Sequence, residues 1–240
     1  MHKIILSLIA AALCLTACSF PEGEDYLYYD LYGFADVEAS VLAIRPEGMV
    51  FNVTEDKTDG SWKQESRIFL QCDVLRTNGD KRYDIRLKAY KPVLEQGILV
   101  KSLSDESVYG TDAACFYQDW GSDPGAYTFN AACQLTRKKD SATPHTLSLV
   151  FDDQRSHSDT LFFELHHQGS GESYENLEMA ASDFQVETQF LTFDLSSAIP
   201  ADAHGSIVVS FEWDWFPTGE LQSLLREPTH YQTFGTLKLD

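Results

Sequence analysis

Apolar and polar residues alternate with a period of two along most of the chain, and this pattern predicts β-strands. Segment 127–136 shows it clearly, because its odd-numbered positions are apolar and its even-numbered positions are mostly polar. The same alternation recurs at Leu147/Leu149/Phe151, Leu161/Phe163/Leu165, Leu191/Phe193/Leu195 and Ile207/Val209/Phe211/Trp213/Trp215. Five strands at this spacing predict an antiparallel β-sandwich over residues 126–240.

The first half carries shorter strand patterns, at 37–44, 49–53, 68–75, 83–90 and 98–103. Asn78-Gly79 lies between the third and fourth and is typical of a hairpin turn, since both residues tolerate positive φ. Five short strands suit a small barrel of the OB type, which we place at 36–103. The Asp-, Ser- and Gly-rich segment 104–125 is interpreted as a linker or long loop. The chain is therefore predicted to be all-β.

Only two segments, 172–182 and 218–227, have the composition of short helices. In the second, three leucines share one helical face. The helical content is therefore expected to be small.

The N-terminus has the features of an export signal. Lys3 precedes the twelve-residue apolar segment 4–15, which is too short to span a bilayer as a helix. The sequence Leu15-Thr16-Ala17-Cys18 that follows resembles the lipobox of bacterial lipoproteins. The resemblance implies that residues 1–17 are removed and that Cys18 is lipidated and anchors the protein to a membrane. A secreted protein cut near Ala17 is the alternative.

Acidic residues follow this cysteine closely. Glu22, Glu24 and Asp25 fall within 18–35, which we interpret as a solvated tether. Acidic residues in this position also resemble the surface-export signal of outer-membrane lipoproteins in some Gram-negative anaerobes. That resemblance implies an outer-membrane protein exposed at the cell surface.

Composition narrows the range of partners. The 240 residues are 43% hydrophobic and 12% aromatic, as in a globular protein, and carry a formal charge of -19. Such an acidic surface repels phosphate backbones, so nucleic acid is not expected to be a partner.

Three cysteines remain beyond Cys18 after processing: Cys72, Cys115 and Cys133. Export permits disulfides, and an odd number allows one intramolecular pair. Cys115 and Cys133 are the candidate pair because they are closer in sequence. Buried free thiols are the default expectation.

Four strand segments occur in an order that resembles a known family. They are "RYDIRLKAYKPVLEQGILVKSL", "HTLSLVFDD", "DTLFFELHHQGSGESYE" and "FLTFDLSS". In this order they resemble the NigD-like lipoproteins, which pair an N-terminal OB-like domain with a C-terminal β-sandwich. The family name comes from a bacteriocin gene cluster, so the resemblance implies a role in bacteriocin immunity or export.

Candidate sites for chemistry are weak. His166 and His167 are adjacent, and on a strand they point to opposite faces, His166 with Glu164 and His167 inward, so they are expected to be structural rather than metal ligands. Gly169-Ser170-Gly171 lacks the GxSxG pattern of a nucleophile elbow. The acidic loops 119–125 and 152–159 do not match the EF-hand ligand pattern. No catalytic residue, metal or cofactor is predicted.

The four tryptophans divide into two pairs. Trp213 and Trp215 lie on one face of a predicted strand and are expected in the core, whereas Trp62 and Trp120 lie in polar, loop-like surroundings. Trp62 and Trp120 are therefore the candidate ligand-binding residues, as an exposed aromatic platform for sugar rings or a protein partner.

The sequence favours a non-enzymatic binding protein for a protein or glycan. Two other classes stay open: a hydrolase that acts on surface polymers and an adhesin-like structural component. A deep cleft with converging polar groups would distinguish the hydrolase from a binding module.

Overall fold

The computed structural model describes residues 30–39, 41–44, 48–123, 127–169, 183–216 and 228–239, with the backbone alone at 119–123. The chain divides after Lys91 into two compact units, Met1–Lys91 and Pro92–Asp240, called here the barrel unit and the sandwich unit. Both are built almost entirely of strands, so the predicted all-β class is confirmed.

Five strands form the barrel unit. They are β1 (Leu31–Glu38), β2 (Val41–Ile44), β3 (Met49–Asp56), β4 (Arg67–Thr77) and the first ten residues of β5 (Arg82–Gly97). Their order is β3-β2-β1-β4-β5, and a parallel pairing of β3 with β5 closes the sheet on itself. The closed five-stranded sheet is the small OB-like barrel that the sequence predicts.

The barrel's turns differ in detail from the prediction. The single strand expected at 37–44 is two strands, because the chain turns at Ala39 with a φ of 55°. Between β4 and β5 the expected hairpin is present, but positive φ falls on Gly79, Asp80 and Lys81 rather than on Asn78 and Gly79.

The barrel core is apolar and closely packed. Its buried members come from all five strands and one connecting turn: Ala35, Leu42, Ile44, Phe51, Trp62, Ile68, Leu70, Cys72, Val74, Ile85 and Leu87. Trp62 belongs to the 3₁₀ turn Ser61–Gln64 between β3 and β4. The barrel is thus filled by side chains and plugged by a loop residue.

Two sheets form the sandwich unit. The first contains the end of β5, from Val93 to Gly97, followed by β11 (Phe184–Asp194), β8 (Thr128–Lys138) and β7 (Ala114–Asp123). The second has the order β13-β12-β10-β9-β6. Its strands are β6 (Leu99–Val100), β9 (Thr146–Phe151), β10 (Thr160–Gln168), β12 (Ser206–Trp215) and β13 (Thr229–Lys238). Most neighbours are antiparallel, but β5–β11, β6–β9 and β10–β12 are parallel.

The predicted alternation is confirmed in the core between these sheets. Alternate residues of β8, β9, β10 and β12 and of the C-terminal end of β11 point into it, including Phe129, Leu149, Phe163, Phe193 and Phe211. Phe129 and Phe211 stack with ring centroids 4.1 Å apart, so aromatic side chains from the two sheets meet at its centre. Trp215 packs in a second buried cluster.

Segment 104–125 differs from the expected linker. It contains a short helix, α1 (Glu106–Tyr109), and β7, which pairs with β8. Residues 98–103, expected in the barrel, form β6 and a 3₁₀ turn in the sandwich unit. β7 carries two register shifts against β8, and these interrupt its alternation. The sequence of this strand therefore resembles that of a loop. The candidate helices at 172–182 and 218–227 lie outside the described residues.

The candidate pairing of Cys115 with Cys133 is wrong, because both thiols are free and buried. Cys115 lies opposite Gln134 and Cys133 lies opposite Phe116, so the two cysteines occupy opposite faces of the sheet. Their Cβ atoms therefore point apart, which a disulfide does not allow. Within the described ranges, no helix is long and apolar enough to cross a membrane.

Candidate functional site

The outer face of the second sandwich sheet carries a row of charged side chains. Even-numbered residues of β10, β12 and β13 point away from the core, because their odd-numbered neighbours fill it. The register places Glu164 directly beside Glu212 and Asp214 beside His230. Three adjacent strands thus bring acids and histidines together.

Two basic side chains hold the carboxylates in place. Arg155 donates to both oxygens of Glu212, at 2.8 and 2.7 Å, and its Nη1 lies 3.6 Å from Glu164. Lys101 donates to Asp152 at 2.9 Å and to Glu164 at 2.8 Å. The guanidinium of Arg155 also lies over the Phe162 ring, at 4.5 Å from its centroid. The result is one continuous ion-pair network, with bidentate geometry at Glu212.

Two histidines complete the network. His166 places Nε2 at 3.1 Å from Glu164 and Nδ1 at 3.1 Å from the carbonyl oxygen of Gly110. On β13, His230 places Nδ1 at 2.9 Å from Asp214. The side chain of Glu212 is only 5% exposed, so the network extends from a buried carboxylate to a wet rim at His230.

A cavity of about 280 Å³ opens over this network. Four of the residues that line it are acids: Asp112, Glu164, Glu212 and Asp214. The other lining residues are Thr111, Leu165, His166, Trp213 and His230. Trp213 stacks on Tyr231 at a centroid distance of 5.9 Å, which leaves the indole fixed in place. Carboxylate oxygens dominate the polar atoms of the wall, so the cavity suits a group that donates hydrogen bonds and carries positive charge.

Glu164 is held in its ionised form. The hydrogen bond from His166, together with that from Lys101, lowers the pKa of Glu164 from 4.5 to about 2, against the opposing effect of burial. A general acid near neutral pH needs the opposite shift. A pKa lowered in this way makes Glu164 a poor proton donor at pH 7.

A close backbone contact lies next to the residues that line the pocket. Gly110 has a φ of 72°, and a Cβ there would lie 2.6 Å from the carbonyl oxygen of His167. Only glycine fits such a position without strain. The neighbouring Asp112 accepts a hydrogen bond from the backbone N–H of Gly169 at 2.7 Å, which fixes its carboxylate.

His166 and His167 point to opposite faces, as predicted. His167 is fully buried, with Nε2 at 2.8 Å from Nδ1 of His145 and Nδ1 at 3.3 Å from the carbonyl oxygen of Ala113. Burial lowers its pKa from 6.5 to about 4. No group of three or more His, Cys, Asp or Glu side chains within the described part of the chain is arranged to hold a metal ion.

The expectation that Trp62 is an exposed platform is wrong. Its side chain is 1% exposed, and its indole Nε1–H donates to Asp56 at 2.8 Å. The polar surroundings that suggested exposure supply that acceptor instead. The side chain of Trp120, the candidate lipidation site Cys18 and the glycine-flanked Ser170 lie outside the described residues.

In the acidic loop 152–159, turn contacts occupy Asp152. Its carboxylate accepts hydrogen bonds from the backbone N–H groups of Gln154 and Arg155, at 3.2 and 3.1 Å. Lys101 binds its second oxygen. Asp152 thus organises a turn and anchors the ion-pair network.

Sequence reasoning did not assemble the pocket. The alternation places Glu212 and Asp214 on the polar face of their strand and Glu164 beside His166, which was the available signal. What it does not show is that β10 and β12 are parallel neighbours, because the residues that pair, such as Thr160 and Val208, lie 48 positions apart in the sequence. Long-range pairing is therefore the missing information.

Comparison with solved structures identifies the fold. A NigD-like immunity protein from Bacteroides caccae is 14% identical, with 87% of this chain and 93% of that chain covered and a TM-score of 0.56. A toxin-related protein from Parabacteroides distasonis is 16% identical over 85% and 92%, with a TM-score of 0.54. A protein from Bacteroides fragilis described as a lipoprotein is 13% identical over 88% and 99%, with a TM-score of 0.55.

No protein-family model matches the chain, and no curated protein sequence is significantly similar to it. The resemblance to the NigD-like lipoproteins is thus confirmed at the level of the fold.

Proposed function

We propose that the protein is a non-enzymatic lipoprotein of the outer membrane, anchored through Cys18 and exposed at the cell surface, that binds a protein partner through the pocket of the sandwich unit. The pocket takes a basic side chain of that partner, a lysine ammonium or an arginine guanidinium. Structural relatives described as immunity and toxin-related proteins are consistent with a protein partner.

The observation that carries the binding function is the state of the two adjacent glutamates. A glycosidase needs one carboxyl group that is protonated near neutral pH and a second that is free to act. Here the pKa of Glu164 is lowered to about 2, and Glu212 is held by both nitrogens of Arg155. Recognition of a cation fits this arrangement better than hydrolysis does.

The preference for a protein over a glycan comes from the aromatic wall. Sugar rings stack on exposed aromatic faces, but Trp213 stacks on Tyr231 and meets the edge of Phe116 at 5.4 Å. Four carboxylates around a small cavity instead match one basic side chain.

Titration with small probes tests the pocket directly. N-acetyl-arginine methylamide and N-acetyl-lysine methylamide at millimolar concentration should shift the imidazole NMR signals of His166 and His230, whereas N-acetyl-leucine methylamide should not. Asp214→Lys should abolish the shifts, and the matched control Asp202→Lys, an exposed acid outside the lining, should keep them. Equal responses to all three probes would contradict cation recognition.

The anchor and the absence of catalysis have their own tests. Clickable palmitate should label the chain but not its Cys18→Ala variant, and protease added to intact cells should remove the sandwich unit. Release of reducing ends from a surface polysaccharide that is lost in both Glu164→Gln and Glu212→Gln would establish the hydrolase instead.

A further inference from the structure

The two sandwich sheets protect their outer strands to different degrees. β6 has two residues, and β7 carries two register shifts against its neighbour. Short length and bulges are common devices that stop an edge strand from pairing with another chain. β13 has neither, since it runs for ten residues and pairs with β12 at every position without a shift.

The composition of β13 leaves it open to pairing as well. It contains no proline, and it lies at the end of its sheet with no strand on its other side among the described residues. Residues 229–238 include no acid, although the chain has 37. Phe234, near the strand's middle, is 62% exposed on the outer face. An edge strand that is long, regular and uncharged at its centre is a template for a further strand.

We propose that β13 pairs antiparallel with β13 of a second copy of this chain, so that two five-stranded sheets become one. A two-fold axis perpendicular to the sheet makes such a contact self-complementary. The proposal goes beyond the binding function of the pocket and does not depend on it.

Charge and side-chain direction fix the register. Opposite residues of an antiparallel pair lie on the same face, so an even-numbered residue must face an even-numbered one. Centring the pair on Phe234 places the two Phe234 rings opposite each other and pairs residues 230–238. It also places Lys238 of the second copy opposite His230, whose ring contacts Asp214 and lies 3.6 Å from Glu212.

This register is favoured because it brings a cation to an acidic site. Lys238 makes no ion pair with any described residue of its own chain. In the dimer Lys238 lies opposite His230 at the rim of the acidic site, with Asp214 one strand further away, and the contact occurs twice by symmetry. A cation is favoured beside this acidic site, whereas a register centred on Thr233 would set the uncharged Thr236 against His230.

Net charge gives the dimer a distinctive salt dependence. Each copy carries a formal charge of -19, so two copies repel each other over long distances. Salt screens that repulsion, with a Debye length of about 8 Å at physiological ionic strength. Moderate salt should therefore strengthen the dimer, because the contact itself depends mainly on backbone hydrogen bonds and Phe234.

Site-specific cross-linking of the full chain in cell membranes tests the contact. Phe234→Cys treated with a short bismaleimide should give a product of twice the mass, about tenfold more than Tyr117→Cys, an equally exposed aromatic position on β7. The unmodified chain treated in parallel controls for the native thiols, which are buried. When chains carrying Gln232→Cys and chains carrying Thr236→Cys are co-expressed, the two kinds of chain should cross-link to each other. Two chains that carry the same substitution should cross-link much less.

Specific cross-linking results would overturn the pairing or its register. No product from Phe234→Cys, or equal product from Tyr117→Cys, overturns the pairing, and strong linking of Gln232→Cys to itself overturns the register. Analytical ultracentrifugation measures the dimer in a second variant, Lys238→Glu, which leaves Phe234 unchanged. Lys238→Glu should weaken the dimer about tenfold while Lys139→Glu has no effect, and a monomer at every salt concentration overturns the proposal.

Discussion

Glu164 and Glu212 lie side by side on the parallel strands β10 and β12, and both face the guanidinium of Arg155. Two carboxylates at neighbouring positions of a sheet repel each other unless a cation separates them. Arg155 comes from the loop between β9 and β10 and fills that role. The network therefore stabilises the sheet as well as shaping the pocket.

Replacing Arg155 with Met should destabilise the sandwich unit by about 2 kcal/mol. The change keeps the apolar contact with Phe162 but leaves Glu212, 5% exposed, without its bidentate partner. Urea unfolding followed by tryptophan fluorescence measures the loss. The loss is smaller than for a wholly buried pair, because the Arg155 side chain is 44% exposed.

Lys139→Met is the matched control for this substitution, since Lys139 is exposed and its side chain makes no ion pair with described residues. Adding Glu212→Gln to Arg155→Met should restore part of the lost stability, because the uncompensated charge is then gone. Equal stability of Arg155→Met and Lys139→Met would show that the network contributes nothing measurable.

Protonation of Glu164 should weaken the fold only in strong acid. Its folded pKa of about 2 lies below the ordinary 4.5, so the stabilisation is complete above pH 4.5 and is lost as the pH falls toward 2. The loss amounts to about 3 kcal/mol at most. Unfolding free energies measured between pH 5 and pH 2.5, compared with Glu164→Gln, should show a steeper fall for the unmodified chain, and parallel curves would refute the shift.

Strands and their inward faces could be predicted from the sequence because they depend on local alternation. Phe129, Phe163, Phe193 and Phe211 all point where the pattern places them. Strand β13 was missed because most of its residues are exposed, so its alternation is weak. Burial on one face is what makes a strand visible in a sequence.

The candidate site was less predictable because it depends on contacts between distant residues. Lys101 and Glu164 are 63 positions apart and meet at 2.8 Å. Trp62 was wrongly predicted to be exposed because its neighbours in sequence are polar. One of them, Asp56, accepts the hydrogen bond of its indole N–H inside the fold. A polar neighbour in sequence can therefore be a buried partner in space.

The buried His167 should make the protein sensitive to mild acid. Its folded pKa of about 4 lies below the ordinary 6.5, because burial disfavours the charged ring. The unfolded chain therefore binds the proton more tightly, and stability should fall by up to about 3 kcal/mol as the pH drops from 6.5 to 4. Asp112 and Glu187 oppose this shift, and His145 adds to it.

Urea unfolding at pH 7 and pH 4.5 measures this effect. His167→Leu should be less stable at pH 7, because Ala113 and His145 lose a hydrogen-bond partner, yet it should lose less stability on acidification. The exposed His204→Gln serves as the control and should behave like the unmodified chain. An undiminished pH dependence in His167→Leu would assign the acid sensitivity to another group.

The three buried thiols should be unreactive in the folded protein. Burial raises the pKa of Cys72 and of Cys115 to about 12 and that of Cys133 well above its usual value. Thiolates, which are the reactive species, are therefore scarce at pH 8. Iodoacetamide followed by mass spectrometry should label these cysteines only after unfolding, and a linked Cys115–Cys133 peptide would contradict the register of β7 and β8.

Trp62 should contribute to stability rather than to ligand binding. Trp62→Ala removes a fully buried side chain from the barrel core and should cost about 4 kcal/mol, whereas Trp62→Phe should cost less because the ring still fills most of the space. Thermal unfolding followed by circular dichroism measures both. The Asp56→Asn variant weakens the acceptor of the indole N–H and of two hydrogen bonds from Thr58 but keeps the ring in place, so it separates hydrogen bonding from packing. If Trp62→Ala instead keeps its stability and no longer recovers a surface partner, Trp62 binds a ligand. That result would contradict a purely structural role for its buried side chain.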